Sequence, residues 1–408
     1  MAFGALHEQP SHGNTADLDK RIADVCGHTW QDKYAAFHAA ESAKPEPRLM
    51  IFDVTGNGGY ADRLTGLMTT LLLAILTDRA IVISWPGYDS AFKLPRLVAD
   101  NRELLAKAQR AGFNDIRRLH WVNENRTKLT TNIIGPSGGL DAFFPERVVY
   151  IRSNRGFTQA LLKAPGLAEV AWKRGLTPSN AQFGCLFNFL ISPTTAAMSP
   201  QEPILDALRD HRYATVGVHV RAGDSTWGKE GGEEDSDEMK MRGRRLYSMH
   251  HWVYDYAFSL ATNISDKLAA AVAANPHGDQ PYRPKPRLLL LGDSPALRNH
   301  VANEAFRGRS DQLLLPATTA EIGHIAYDAG ALNTAVGEHW LYGNARAFVY
   351  SSHSGFPRTA AARAVSDEAI HTCFHYTGTL FNSNQPTERE CTGPYSIAHL
   401  GDRHAAGL

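Results

Sequence analysis

The stretch V-G-V-H-V-R-A-G-D, residues 216–224, decides how this chain is read. It has the form of a buried strand that carries His219 and Arg221 to a Gly-containing turn ending in Asp224. Strand side chains alternate, so His219 and Arg221 share one side while Val218 and Val220 face the opposite layer. A cation that must meet a phosphate needs such a rigid mount. The same residues could equally end an ordinary strand, and the rest of the chain separates the two readings.

Two more units in the same half repeat the plan of strand, turn and helix. Arg287–Leu291 is a leucine strand, Gly292-Asp293-Ser294 its turn and Pro295–Phe306 a helix; Ser294 suits the N-cap and Pro295 the first helical position. Ala347–Tyr350 is a strand, Ser351–Gly355 a loop of small residues and Phe356–Val365 a helix. In open parallel sheets ligands sit at the carboxyl ends of the strands. A nucleoside diphosphate would be served there by one arginine fork, from Arg221, and by backbone N–H groups at the helix start near Phe356. Asp293 would accept hydrogen bonds from a base or ribose.

The first half contains a βαβ unit. Arg48–Val54 is a strand, Thr55–Gly59 a Gly-rich turn, Tyr60–Asp78 a helix with Leu64, Leu67, Leu71 and Ile75 on one face, and Ala80–Ser84 a second strand. The turn lacks both the dinucleotide fingerprint and the P-loop lysine, so its glycines imply only close backbone approach. Leu18–Glu41 has helical spacing, Val148–Ile151 reads as a strand, and Gln159–Arg174 and Ala181–Ile191 read as helices. Ser192–Pro203, with three prolines, is expected to link the halves and to lead into a short helix over Ile204–Asp210. Ser225–Arg245, acidic and then basic, reads as a solvated loop placed where a lid or acceptor contact would lie, with a long helix over Tyr247–Ala274 after it.

Composition narrows the classes. The 408 residues suffice for two domains, and 42 basic residues balance 42 acidic ones, which gives no general field for nucleic acid or an anionic membrane. Any phosphate site must be local. Met1–Thr15 lacks the pattern of a signal peptide, and the apolar run Leu64–Thr77 is shorter than the ~20 residues a membrane span needs. Cys26, Cys185, Cys373 and Cys391 contain no C-x-x-C pair, so no zinc site is expected, while two disulfides with three connectivities remain open. Asn125-Arg126-Thr127 and Asn263-Ile264-Ser265 fit the N-glycosylation pattern and permit a secretory location.

The motifs H-V-R-A-G-D (219–224), L-L-L-L-G-D-S (288–294) and S-S-H-S-G-F-P-R-T-A-A (351–361), taken together, resemble those of the α1,2/α1,6/protein O-fucosyltransferase superfamily. Cys26-Gly27-His28-Thr29, Tyr34, G-N-G-G-Y-A-D-R-L (56–64) and L-A-I-L-T-D-R-A-I-V-I (73–83) are similar to the plant cell-wall, xyloglucan-type branch. The likeness spans roughly residues 20–365. Asp62 stands where many members have Asn, the form of the 219–224 motif is closer to the bacterial and animal branches, and the 225–245 loop matches nothing in the family.

The resemblance implies an α/β fold of GT-B type, two Rossmann-like domains facing across a cleft. The expected division is a disordered tail over 1–20, an acceptor-side domain over 21–200, a GDP-sugar-binding domain over 201–370 and an extension over 371–408. It implies inverting transfer of L-fucose from GDP-fucose to a glycan or glycoprotein hydroxyl, without a metal or other cofactor. Carried over, Arg221 holds the β-phosphate, His219 positions it or contacts the nucleotide, and Asp293, Ser294, Ser352, Ser354, Gly355 and Phe356 line the donor pocket with Gly58, Gly59 and Arg63. Asp224 and Glu230 are the candidate general bases. Expected partners are a GDP-sugar and a glycan acceptor, and the expected location is the Golgi lumen, with the cytoplasm as the alternative.

Other chemistries fit less well. A histidine phosphatase needs Arg-His-Gly rather than His-x-Arg-x-Gly, and no H-x-x-x-H or H-E-x-x-H spacing supports metal hydrolysis. A transferase using another GDP-sugar such as GDP-L-galactose, or a non-catalytic GDP- or glycan-binding relative, would share the same motifs.

Overall fold

Two parallel sheets divide the chain. A computed structural model describes residues 15–54, 58–122, 140–154, 156, 158–163, 166–177, 183–210, 212–221, 237–273, 283–316, 331–351, 354–365, 370–375 and 387–388. Strands in chain order are β1 (Leu49–Asp53), β2 (Ala80–Ser84), β3 (Phe92–Lys93), β4 (Ile116–Trp121), β5 (Val148–Ser153), β6 (Ser192–Pro193), β7 (Tyr213–Val220), β8 (Lys285–Gly292), β9 (Leu313–Leu314), β10 (Ala347–Ser351), β11 (Ile370–His375) and β12 (Thr387–Glu388). The first sheet has the order β2-β1-β5-β4 and the second β12-β11-β10-β7-β8-β9, with β3 and β6 paired separately. All pairs in the two sheets are parallel except β11 with β12. Parallel sheets covered on both faces need near-continuous apolar strands, which is what L-M-I-F, A-I-V-I and L-L-L-L supply.

The helix Tyr60–Leu76 is apolar almost all round because it packs between the first sheet and neighbouring helices. Its Gly66 is required by close approach: a Cβ there would fall 2.0 Å from the Ser153 carbonyl oxygen. The main core contains Leu64, Leu67 and Leu71 from this helix together with Leu332, Val336 and Ala362 from two helices of the second half, Ala331–Tyr342 and Gly355–Arg363, and Val365 just after the latter. The halves are therefore joined by continuous apolar packing.

Several sequence expectations are corrected in detail. Leu18–Glu41 forms two helices, Thr15–Cys26 and Thr29–Ser42, separated at Gly27 with φ 62°. The left-handed backbone that glycine adopts ends the first helix. Gln159–Arg174 likewise splits into Thr158–Lys163 and Leu167–Lys173, with Gly166 at φ 82°.

Ser192–Pro203, the expected link between the halves, is structured along its length. Ser192 and Pro193 pair with β3, and the Thr194 hydroxyl accepts from the Ala197 N–H at 3.2 Å to cap the helix Thr195–Met198. Its remaining prolines open the 3-10 turn Ser199–Gln201 and the helix Glu202–Arg209, positions that require no N–H. A Cβ on Gly337 would lie 2.4 Å from the Ala197 carbonyl oxygen, so the segment is pressed against the Ala331–Tyr342 helix.

The basic half of Ser225–Arg245 is also not a loop. Lys240, Arg242, Arg244 and Arg245 belong to the long helix Asp237–Ala273, which starts about ten residues before the expected Tyr247. Gly243 lets that helix touch the Pro295–His300 helix, and Arg244 pairs with Glu304 at 3.0 Å. Residues 225–236 lie outside the described residues. No helix of the described residues is long and apolar enough to cross a membrane.

Cys26 and Cys185 form a buried disulfide with a Cα–Cα distance of 5.3 Å, one of the pairings the sequence left open. It ties the first helix to Phe183–Leu190, which packs on Gly355–Arg363. Closing 159 residues of sequence separation restricts the unfolded chain strongly. Cys185→Ser is expected to lower the unfolding free energy by about 2–5 kcal/mol. Urea denaturation with and without reductant measures this, and identical midpoints would show that the cross-link does not hold the fold.

Candidate functional site at the carboxyl edge of the second sheet

β7, β8 and β10 end side by side. Register places His219 between Leu291 and Tyr350, and Val220 beside Gly292, so Arg221 follows at the level of Asp293, one residue beyond the level of Ser351. The Arg221 N–H donates to the Ser351 Oγ at 3.0 Å. This bond closes the ladder where β7 stops and fixes the start of the arginine side chain, which is half-buried. Ser351 was read only as loop; the serine following an apolar strand A-F-V-Y was the available signal.

Ser354 is buried and stands at the N-cap of the helix Gly355–Arg363, and its N–H donates to the Ser351 carbonyl at 3.0 Å. Backbone donors at such a helix start attract an anion. Ser294 caps the helix Pro295–His300 by accepting from the Leu297 N–H at 3.3 Å, as its position before Pro295 implied. Its buried hydroxyl therefore serves the turn. Asp293 is half-buried at the β8 end. Asp224, Glu230 and Ser352 lie outside the described residues.

His219 is 5% exposed, and its Nδ1 has no hydrogen-bond partner among the described residues. The ring packs on Phe356 with centroids 5.6 Å apart and edge-on to Tyr342 at 6.4 Å. Burial, then the positive charges of Arg298 and Arg221, hold its pKa down to about 3. The imidazole is thus neutral at any ordinary pH.

Across from these strand ends lies the Gly-rich turn of the first half. Gly59 is the N-cap of Tyr60–Leu76 and its N–H donates to Asp62 Oδ2 at 3.3 Å. Arg63 is turned inward: Nε donates to the Gly58 carbonyl at 2.9 Å and the guanidinium lies 5.3 Å from the Trp85 ring centroid. Arg63 thereby braces the turn that was expected to meet the donor. Tyr60 bridges the halves, with its ring 6.3 Å from Phe356 and 5.2 Å from His339. Gly58, Gly59 and Arg63 thus come to the same junction as Phe356, Ser354 and His219.

Three residues that sequence reading missed shape the edge. Tyr342 O–H reaches the carbonyls of Gly217 at 3.3 Å and Val349 at 3.2 Å, and a Cβ on Gly217 would lie 2.9 Å from its ring. Gly217 is therefore small because Tyr342 lies on it. Arg298, 2% exposed, makes a two-pronged pair with Glu338 at 2.6 and 2.7 Å and donates twice to the Gly292 carbonyl at 3.0 and 2.6 Å. No local motif marks either residue, since their contact spans 40 positions. Among the described residues no group of three or more His, Cys, Asp or Glu is placed to hold a metal ion.

Two doubly covered α/β halves with a small-residue strand edge define the GT-B class of fold. No family model matches the chain, and no curated protein matches it. Among solved structures it is similar to a mutant of Arabidopsis thaliana FUT1 in complex with GDP, at 16% identity over 90% of this chain and 79% of that one, with a TM-score of 0.51. It is also similar to fucosyltransferase NodZ from Bradyrhizobium (13% identity, 84% of this chain, 98% of that one, TM-score 0.39). POFUT1 in complex with GDP-fucose gives 10% identity, 82% and 99% coverage and a TM-score of 0.39. The first likeness establishes the fold that the motifs implied.

An unfolded histidine takes up a proton near pH 6.5, whereas folded His219 does so only near pH 3. Between those values the unfolded state binds the extra proton, so stability falls as pH drops through the window. Buried His339, held well below its ordinary value mainly by burial, acts in the same direction. The loss of unfolding free energy between pH 7 and pH 4 is expected to be smaller in His219→Asn than in the wild type, as measured by urea titration. Equal losses would mean that His219 is not buried and neutral.

Proposed function

We propose that this protein is an inverting glycosyltransferase that moves L-fucose from GDP-fucose to a glycan hydroxyl, with no metal required. The observation that carries the reading is the Arg221 mount: its backbone is bonded to Ser351 beside the N-terminus of Gly355–Arg363, where β7, β8 and β10 end together. A fixed guanidinium fork and convergent backbone N–H groups are the chemistry a diphosphate needs. The second half, with Asp293, Ser294, Ser352, Ser354, Gly355 and Phe356, forms the donor side. The first half forms the acceptor side and contributes Gly58, Gly59 and Arg63 to the donor pocket.

In the reaction the acceptor oxygen attacks C1 of the sugar from the face opposite the diphosphate. The C1–O bond breaks, and GDP leaves with the electron pair and the added negative charge. Arg221 and the helix start stabilise that charge as it develops, usually the largest catalytic contribution. Neutral His219, packed on Phe356, supports the arginine without adding a competing positive charge. The acceptor proton passes to a carboxylate, for which Asp224 and Glu230 are the nearest in sequence to Arg221, or to the departing phosphate. The fold of the GDP-bound FUT1 structure supports this reading. The Cys26–Cys185 disulfide supports an oxidising compartment such as the Golgi lumen.

Arg221→Ala is expected to lower GDP release from GDP-fucose in the presence of a glycan acceptor panel by about 10²–10³. Equal release by wild type and variant, with both still binding GDP, would remove the enzyme reading. GDP is expected to raise the melting temperature more than UDP or ADP, and equal shifts would remove the guanosine assignment.

A further inference from the structure

The Arg298–Glu338 pair has no part in the chemistry above, yet it ends on the site. Arg298 directs Nη1 and Nη2 at the two Glu338 oxygens, 2.6 and 2.7 Å away, and Nε and Nη2 at the Gly292 carbonyl, 3.0 and 2.6 Å away. Gly292 is the last residue of β8, directly before Asp293. Both partners are buried, at 2% and 6% exposure. A buried pair of this kind contributes little net stability over apolar residues of similar size, so a role in fixing geometry is the more economical account.

Glu338 itself is held from both sides. Its neighbour Gly337 is pressed on Ala197, and His339 meets Tyr60 at 5.2 Å while its Nε2 lies 3.0 Å from the Thr359 hydroxyl. One turn later Tyr342 bonds to the carbonyls of Gly217 and Val349. The clamp thus ties the β8 end to a helix anchored on the first half and on β7.

We propose that Arg298, held by Glu338, is a positioning residue that sets the carboxyl end of β8, and with it Asp293, against the Arg221 strand for binding the donor nucleotide. The inference rests on the donor-site reading above. Arg298 is also the larger of the two positive influences on His219. Removing it therefore leaves a signature that loss of packing alone would not produce.

The test compares wild type, Glu338→Gln and the apolar double variant Arg298→Met with Glu338→Met. The double variant removes both buried charges at once and is expected to keep the global stability. GDP affinity by calorimetry is expected to fall roughly tenfold or more in the double variant, since small displacements of a binding group are costly. Amide exchange at Asp293 and the residues beside it is expected to speed up, and the His219 imidazole to titrate at higher pH by NMR. Glu338→Gln leaves the Arg298 charge in place and retains one acceptor for it, so it is expected to lose part of the GDP affinity and to exchange faster at Asp293 without any rise in the pH at which His219 titrates, and these two readouts serve if the double variant does not fold.

Unchanged exchange at the β8 end, with His219 titrating as in the wild type, would overturn the positioning role. So would wild-type GDP affinity in a folded variant. Failure of the wild type to bind GDP would overturn the donor-site reading instead, and with it the donor role of the clamp. The exchange and NMR readouts would then still report whether Arg298 sets the strand end.

Discussion

The structure depends on the packing of second-half helices into the first-half core around Phe356 and His339. His339 lies 5.4 Å from Phe356 and 5.4 Å from Phe187, and Tyr60 enters the same cluster from the Gly-rich turn. The contacts of His339 with Phe356 and with Tyr60 each join an element that carries a motif to one that does not. If the halves were joined only by a flexible linker, the Gly58–Gly59 turn and the Ser354–Gly355 helix start would face each other only transiently. Apolar packing between them makes the juxtaposition part of the folded state.

Within that arrangement the Ala331–Tyr342 helix acts as a spine. Leu332 and Val336 enter the main core, Glu338 reaches the β8 end through Arg298, His339 faces Tyr60, and Tyr342 lies on β7 and β10. Buried polar groups on such an element are costly unless bonded: here Glu338 accepts from Arg298, which also donates to the last carbonyl of β8, His339 pairs with the Thr359 hydroxyl and Tyr342 bonds carbonyls of β7 and β10. The geometry of the carboxyl edge is therefore set largely from beneath, by groups that no ligand would touch.

The alternation in V-G-V-H-V-R, the leucine run before Gly292 and the β1–helix–β2 unit were legible because their periodicity is local and their strands are buried. The Ser294 cap was legible for the same reason. The Ala331–Tyr342 helix was missed, since its weak amphipathic pattern reflects burial on several sides rather than one face. The secondary structure within Ser192–Pro203 was not legible because prolines that interrupt one element also open the next. The site was legible as a set of strand ends, but the Arg298–Glu338 clamp and the Tyr342–Gly217 contact are long-range contacts that no spacing encodes.

The central claim is that a diphosphate sits between Arg221 and the start of the Gly355–Arg363 helix. A crystal structure of the protein with GDP tests it most directly. The account predicts the β-phosphate within hydrogen-bonding distance of the Arg221 guanidinium and of backbone N–H groups near Gly355, with the guanosine towards Asp293. GDP bound elsewhere, or with its phosphates turned away from Arg221, would contradict it.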